Sequence, residues 1–226
     1  MAKLSIYSFV SKVKGLTQGR MKAMSNTAGG KNSNTLVTRI VFTGVMAAII
    51  CVITTFRIPL GQSKVHFANS MCLLAGLLLG PVWGGAAAGL GSAIYDVVLG
   101  GYGFFDALIT FVSKFAMAWV TGILYQKWVL KKEEKRSWKE NLLPLAAACV
   151  LGALTYVALY MLKTWLFKMY VEPVPADTIP TVMVAKLVPS LINAAFAVVT
   201  APIFYHAVCP ALKAGGILKQ LETIKA

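Results

Sequence analysis

The sequence predicts an all-α integral membrane protein of six transmembrane helices with both termini on the cytoplasmic side, and three observations carry that expectation. Of 226 residues, 58% are hydrophobic and 13% charged, with mean hydropathy +0.70, too apolar for a soluble domain of this size. Uncharged stretches at or above the roughly 18 residues needed to cross a bilayer recur along the chain, so they read as spans and not as one cleaved signal segment. The basic residues also recur in alternate connections between those stretches, as the positive-inside rule requires.

Taken in order, the first span runs from about Ile40 to Phe56, held between Arg39 and Arg57. The second and third share the uncharged run from Val65 to Tyr95, which Gly80-Pro81 breaks where a helix should stop and turn. The fourth is about Ala107 to Gln126, interrupted only by Lys114, the fifth about Asn141 to Leu162, and the sixth about Leu187 to Leu212. Residues 1–38 read as a basic, mobile cytoplasmic segment, 39–212 as the membrane domain, and 213–226 as a cytoplasmic tail.

A net charge of +14 invites a nucleic-acid reading, and the distribution of the charge argues against it. Seven Lys/Arg precede the first span, six lie between spans four and five (Lys127 to Lys139), and three follow span six. With six crossings these regions share one face, which the rule makes cytoplasmic. The connection between spans five and six, VEPVPADTIP, is acidic and proline-rich and falls on the other face.

Six cations remain once the orientation signal is subtracted: Arg57, Lys64, Lys114, Lys163, Lys168 and Lys186. Long basic side chains near a span end can snorkel to the interface. Lys114 lies mid-span, where an unpaired charge costs at least ~3 kcal/mol, and it needs a partner. Asp96, the aspartate deep in the glycine-rich run, lies within one to two helical turns of it in depth. Two readings stand: a buried Asp96–Lys114 pair holding two helices in register, or a polar pocket that binds a ligand. Surplus cations on the outer half, with Asp106, Glu172 and Asp177 placed in solvated loops, favour an anionic or hydrogen-bond-accepting ligand over a cation.

Small residues mark where helices touch. In span three Gly84, Ala88, Ser92 and Asp96 repeat every four residues, as do Gly85, Gly89 and Ala93. In span one Thr43, Ala47 and Cys51 form one small stripe and Gly44 with Ala48 another. Either could pack inside the bundle or dock another membrane protein. Cys51, Cys72, Cys149 and Cys209 stand singly, without metal or disulfide spacing, and no cofactor is expected. There is no GxxxxGK[ST] phosphate loop and no HExxH. An intramembrane serine protease built on Ser92 and His206 is the enzyme alternative, although GLGSA lacks the GxSG arrangement that rhomboid-like proteases show; a self-sufficient small transporter or channel is the other.

A first loop reading VHFANS, then LLAGLLLGPVWGGAAAGLGSAIYDVVLGG, then FDALITFVSKFAMAWVTG, resembles the substrate-binding S components of energy-coupling factor (ECF) vitamin transporters. The particular likeness is to the riboflavin-type group, which also includes proteins assigned to hydroxymethylpyrimidine and vitamin B6 vitamers. It covers about Arg39 to Val208. The resemblance implies a six-helix fold in the bacterial cell membrane, a water-soluble vitamin bound near the outer face, and partnership with a T component and two ATPase subunits that make the S component topple. Its AxxxA docking motif is matched here by Gly44 and Ala48 as GxxxA, with Thr43 and Ala47 as the adjacent alternative. The substrate-binding candidates are His66, Asn69, Asp96, Tyr102, Lys114, Tyr156, Lys186 and Asn193. Tyr160 and Trp165 are further aromatic walls, and a lipid-facing belt explains Trp165 equally well.

Overall fold

The computed structural model describes residues 28–60, 63–129 and 138–217. The chain divides into two compact units, Met1–Thr38 and Arg39–Ala226. Of the first unit, the described residues 28–38 are helical, so the expectations for the N-terminal segment fall mostly outside the described residues, as do those for most of the C-terminal tail.

Six α-helices occur among the described residues: α1 (Ala28–Thr55), α2 (Ala68–Leu79), α3 (Pro81–Val98), α4 (Phe104–Trp128), α5 (Trp138–Leu166) and α6 (Ile179–Ala214). They correspond one to one with the expected segments. A two-stranded antiparallel hairpin, β1 (Arg57–Leu60) with β2 (Ser63–His66), is an addition to the all-α expectation and fills the connection between α1 and α2. The backbone of His66 pairs with that of Arg57; the side chains of this hairpin, His66 included, lie outside the described residues. Because the sheet has only two strands, Pro59 sits on an edge, where its missing N–H costs no ladder bond.

Among the described residues, four stretches are long and apolar enough to cross a membrane: Leu36–Thr55, Phe104–Trp128, Asn141–Val171 and Ala176–Ala214. The Gly80-Pro81 break lies where the sequence places it. Gly80 ends α2 with φ 79°, a conformation that side chains rarely adopt, and Pro81 starts α3, where its missing N–H is no loss. The two halves of that run are unequal, however. α2 has 12 residues, about 18 Å against a hydrocarbon core of about 30 Å, so the second expected span is shorter than a bilayer crossing. All of its residues are buried, Leu73, Leu77 and Leu79 nearly completely, and α3, α4, α5 and α6 pack around it.

The close packing depends on glycines. A Cβ at Gly84 of α3 would lie 2.4 Å from the Ala75 carbonyl oxygen of α2, and one at Gly76 would lie 2.4 Å from the Ala118 oxygen of α4. At Gly91 it would meet the Ala47 oxygen of α1 at 2.4 Å. These helices approach backbone to backbone, the geometry that small-residue repeats permit without water to drive association. Polar pins add direction: the Ser70 and Thr200 hydroxyls lie 2.6 Å apart between α2 and α6, and those of Tyr125 and Tyr205 lie 2.5 Å apart between α4 and α6.

The four small residues of α1 divide between two faces. Thr43 and Ala47 are buried, Ala47 against Gly91, whereas Gly44 and Ala48 are exposed and a Cβ at Gly44 would meet nothing within 4 Å. Gly84→Ala should therefore lower the thermal midpoint of the detergent-solubilised protein by several degrees, an overpacking cost of about 1–3 kcal/mol, while Gly44→Ala leaves it unchanged. Circular dichroism melts of the two variants check this, and equal midpoints would contradict the packing.

Candidate functional site

A cavity of about 600 Å³ lies at one end of the helical bundle, within the size range of small-molecule sites. Every helix contributes to it from the end that alternating, antiparallel packing brings there. Thr54 comes from the C-terminal end of α1, Ala68 and Asn69 from the start of α2, and Ser92 and Asp96 from the last turns of α3. Tyr102 comes from the α3–α4 connection, and Asp106, Thr110 and Lys114 from the first turns of α4. Tyr156, Tyr160 and Lys163 close it from the end of α5, Glu172 from just beyond, and Lys186, Ser190 and Asn193 from the first half of α6.

Seven of the eight substrate-binding candidates line this one cavity: Asn69, Asp96, Tyr102, Lys114, Tyr156, Lys186 and Asn193. The side chain of the eighth, His66, is outside the described residues. Trp165 is not among the lining residues and is 39% exposed, the position of a belt residue. Several lining residues that the sequence reading did not name as binding candidates stand at helical spacing from those it did. Thr110 and Asp106 precede Lys114 by one and two helical repeats, Lys163 follows Tyr156 by seven, and Ser190 lies between Lys186 and Asn193. Each helix turns a single stripe inward, and that periodicity was the available signal.

Depth sorts the polar groups. On the floor, Lys114 is 4% exposed and Asn69 2%. The Lys114 ammonium donates a hydrogen bond to Asn69 Oδ1 and lies 3.8 Å from the centroid of the Tyr156 ring. The described partners of this mid-span lysine are thus an amide and an aromatic face, and not Asp96 as expected; Asp96 lines the same cavity, and its carbonyl accepts a 3.0 Å bond from the Tyr102 N–H. Tyr156 stacks on Tyr160 with centroids 6.1 Å apart and planes 21° apart, forming a flat wall. Phe67, which starts α2, packs edge-on against Phe196 of α6 at 4.7 Å and ties the hairpin end of the chain to the bundle.

Nearer the mouth, Lys163 bonds Asp106 at 2.5 Å, joining the last turn of α5 to the first turn of α4, and Lys168 bonds Glu172 at 2.7 Å. Asp106 and Glu172 therefore belong to the cavity lining and not to solvated loops alone. Among the described residues, Lys114, Lys163 and Lys186 line the cavity with Asp96, Asp106 and Glu172; the side chains of Arg57 and Lys64, which the expected cationic surplus also counted, lie outside the described residues. Asp106 is in the first helical turn, where a carboxylate suits the helix dipole, and faces inward by helical phase with Lys114. Ser92 lies in the cavity with Cys72 Sγ at 3.9 Å, while His206 is exposed and packs on Tyr205 near the opposite end of α6, so the two are not a dyad.

Apolar helices of spanning length around a polar cavity are the features of a multi-pass membrane protein. The family described as ECF-type riboflavin transporter, S component, matches residues 34–209, and the chain belongs to that family. Its members are transport components and not enzymes. No curated protein matches the chain.

The Asp106–Lys163 pair is partly exposed, at 32% and 24% of the two side chains, so it contributes under about 1 kcal/mol. Asp106→Asn should lower thermal stability by no more than that, and high salt should erase the difference. Melts at low and high sodium chloride check it; a large, salt-independent loss would mean that the pair is desolvated.

Proposed function

We propose that this chain is the substrate-binding component of a vitamin uptake system in the bacterial cell membrane. It captures a water-soluble vitamin or precursor in the α1–α6 cavity from outside and delivers it inward with a T component and two ATPase subunits. The single observation that carries this reading is the family match over residues 34–209 together with a cavity to which every helix contributes. In this reading all six helices lie within the membrane, α2 enclosed by the others, with both termini cytoplasmic. The distribution of Lys and Arg supports that orientation, because it sets the basic 127–139 connection opposite the cavity end.

The ligand contacts are assigned to Asn69, Asp96, Tyr102, Lys114, Tyr156, Lys186 and Asn193, with His66 above them in the hairpin. The flat Tyr156–Tyr160 wall suits a planar heteroaromatic ring, as in riboflavin, hydroxymethylpyrimidine or a pyridoxine-type vitamer. The exposed pair Gly44 and Ala48 is the surface assigned to the T component. Thr43 and Ala47 support it from the buried side of the same helix.

Two measurements test this. The detergent-purified chain should bind its vitamin alone, read by mass spectrometry of retained small molecules, whereas vesicle uptake should require the T component, the ATPases and ATP; uptake by the chain alone would favour a self-sufficient transporter. Ala48→Leu should abolish coupled uptake and leave ligand affinity within about twofold, because a bulky side chain spoils a helix-crossing surface without reaching the cavity. Parallel loss of binding would place Ala48 in the internal packing.

A further inference from the structure

The floor of the cavity has a polarity that follows from one contact. A lysine ammonium has three N–H groups and no acceptor, so the atom of Asn69 that faces Lys114 must be Oδ1. With one lone pair of its oxygen taken by Lys114, the Asn69 amide still has its NH2 to offer as a donor. Lys114 spends one N–H on Asn69 and turns its charge toward the Tyr156 face, which leaves donor capacity and no acceptor. Beside them α2 begins at Ala68 without a side-chain cap, and Ala68 and Asn69 both line the cavity. The first backbone N–H groups of a helix have no intrahelical acceptor, and the dipole places partial positive charge there. Three independent groups on the floor are therefore donors. The cavity carboxylates with described partners, Asp106 and Glu172, are held by Lys163 and Lys168.

Resting on the vitamin-binding reading above, we infer that Lys114 determines ligand specificity: with Asn69 it receives an acceptor-only end of the ligand, a conjugated ring carbonyl or an oxyanion, while the Tyr156 face sets the plane of the ring. A ligand that turns a donor or a cation toward Lys114 and the Asn69 NH2 would set donor against donor there, whereas an acceptor is matched; Ser92, Asp96 and Asn193 line other parts of the cavity. Asn69 is a positioning residue as well as a contact, since its oxygen fixes where the ammonium points.

The test is a cycle between protein and ligand in the full-length, detergent-purified chain. Riboflavin is compared with its 2-thio and 4-thio analogues, in which a ring carbonyl oxygen becomes sulfur, a poorer acceptor. Lys114→Met removes the charge at similar length without stranding a carboxylate, and Lys114→Arg keeps the charge. Wild type should prefer riboflavin to one of the two analogues by about 10-fold or more, and Lys114→Met should weaken riboflavin about 10- to 100-fold and level that preference to within about twofold. Lys114→Arg should retain part of the preference. A purely structural role would weaken all ligands alike and leave the preference intact, which overturns the inference. If wild type does not bind riboflavin, the same cycle with pyridoxine and 3-deoxypyridoxine, which lacks the phenolic oxygen, decides. A wild type that binds neither pair, or binds cationic thiamine as tightly as either, also overturns it. The transport reading fails separately, by uptake that needs no ATPase module.

Discussion

The rest of this structure depends on a helix that is too short for the membrane around it. With 12 residues, α2 covers about 18 Å of a hydrocarbon thickness near 30 Å, so about 12 Å of one bundle axis is left without it. Lipid cannot fill that gap, because it would meet the uncapped backbone donors at the start of the helix. The neighbours must therefore enclose α2 completely, and they do so: α3, α4, α5 and α6 surround it, with glycines at Gly76 and Gly84 where contact is backbone to backbone. The space beyond its N-terminus becomes a chamber lined by Ala68 and Asn69. A full-length helix here would leave a packed bundle and no site.

The chamber then governs where charge can be placed. Among the described residues, three lysines and three carboxylates line it, and they are layered. The carboxylates with described ion pairs, Asp106 and Glu172, sit near the mouth, where partial hydration keeps the cost of ionisation low; Lys114 is sealed on the floor, held by an amide and a ring. An ammonium tolerates that arrangement better than a carboxylate would, because an aromatic face attracts cations and repels anions. The result is a cavity whose described floor has a definite sign at Lys114, and that local sign bears on a ligand more than a total does.

Much of this was legible in the sequence, and the remainder was not for physical reasons. Hydropathy located all six helical segments, and Gly80-Pro81 marked a turn that the backbone confirms through a positive φ at Gly80. Polar residues inside apolar segments were sound pointers because burial in such surroundings demands a partner, and Asn69, Lys114 and Asn193 converge as a result. The length of α2 was not legible, since the uncharged run continues through residues that pair as β2 and composition cannot separate an apolar strand from the start of a helix. The hairpin had little signal of its own, since RIPL and SKVH carry one β-branched residue each. Asp106 was read as a loop residue because positions near helix ends look solvated in one dimension; its helical phase with Lys114, eight residues on, shows that it turns inward.

The division of α1 into two faces shows how small residues serve two ends at once. Thr43 and Ala47 are buried because Gly91 brings the α3 backbone against the Ala47 carbonyl, a contact that a larger side chain on either helix would prevent. Gly44 and Ala48, one position further round, satisfy no such need: they are exposed, and Gly44 has open space where a Cβ would stand. Packing among the described residues does not account for their smallness. On the proposed reading it is explained by packing against another helix. Thr54, one of the residues lining the cavity, lies on the same helix as Gly44 and Ala48, so on that reading one element carries both the proposed docking surface and part of the cavity wall.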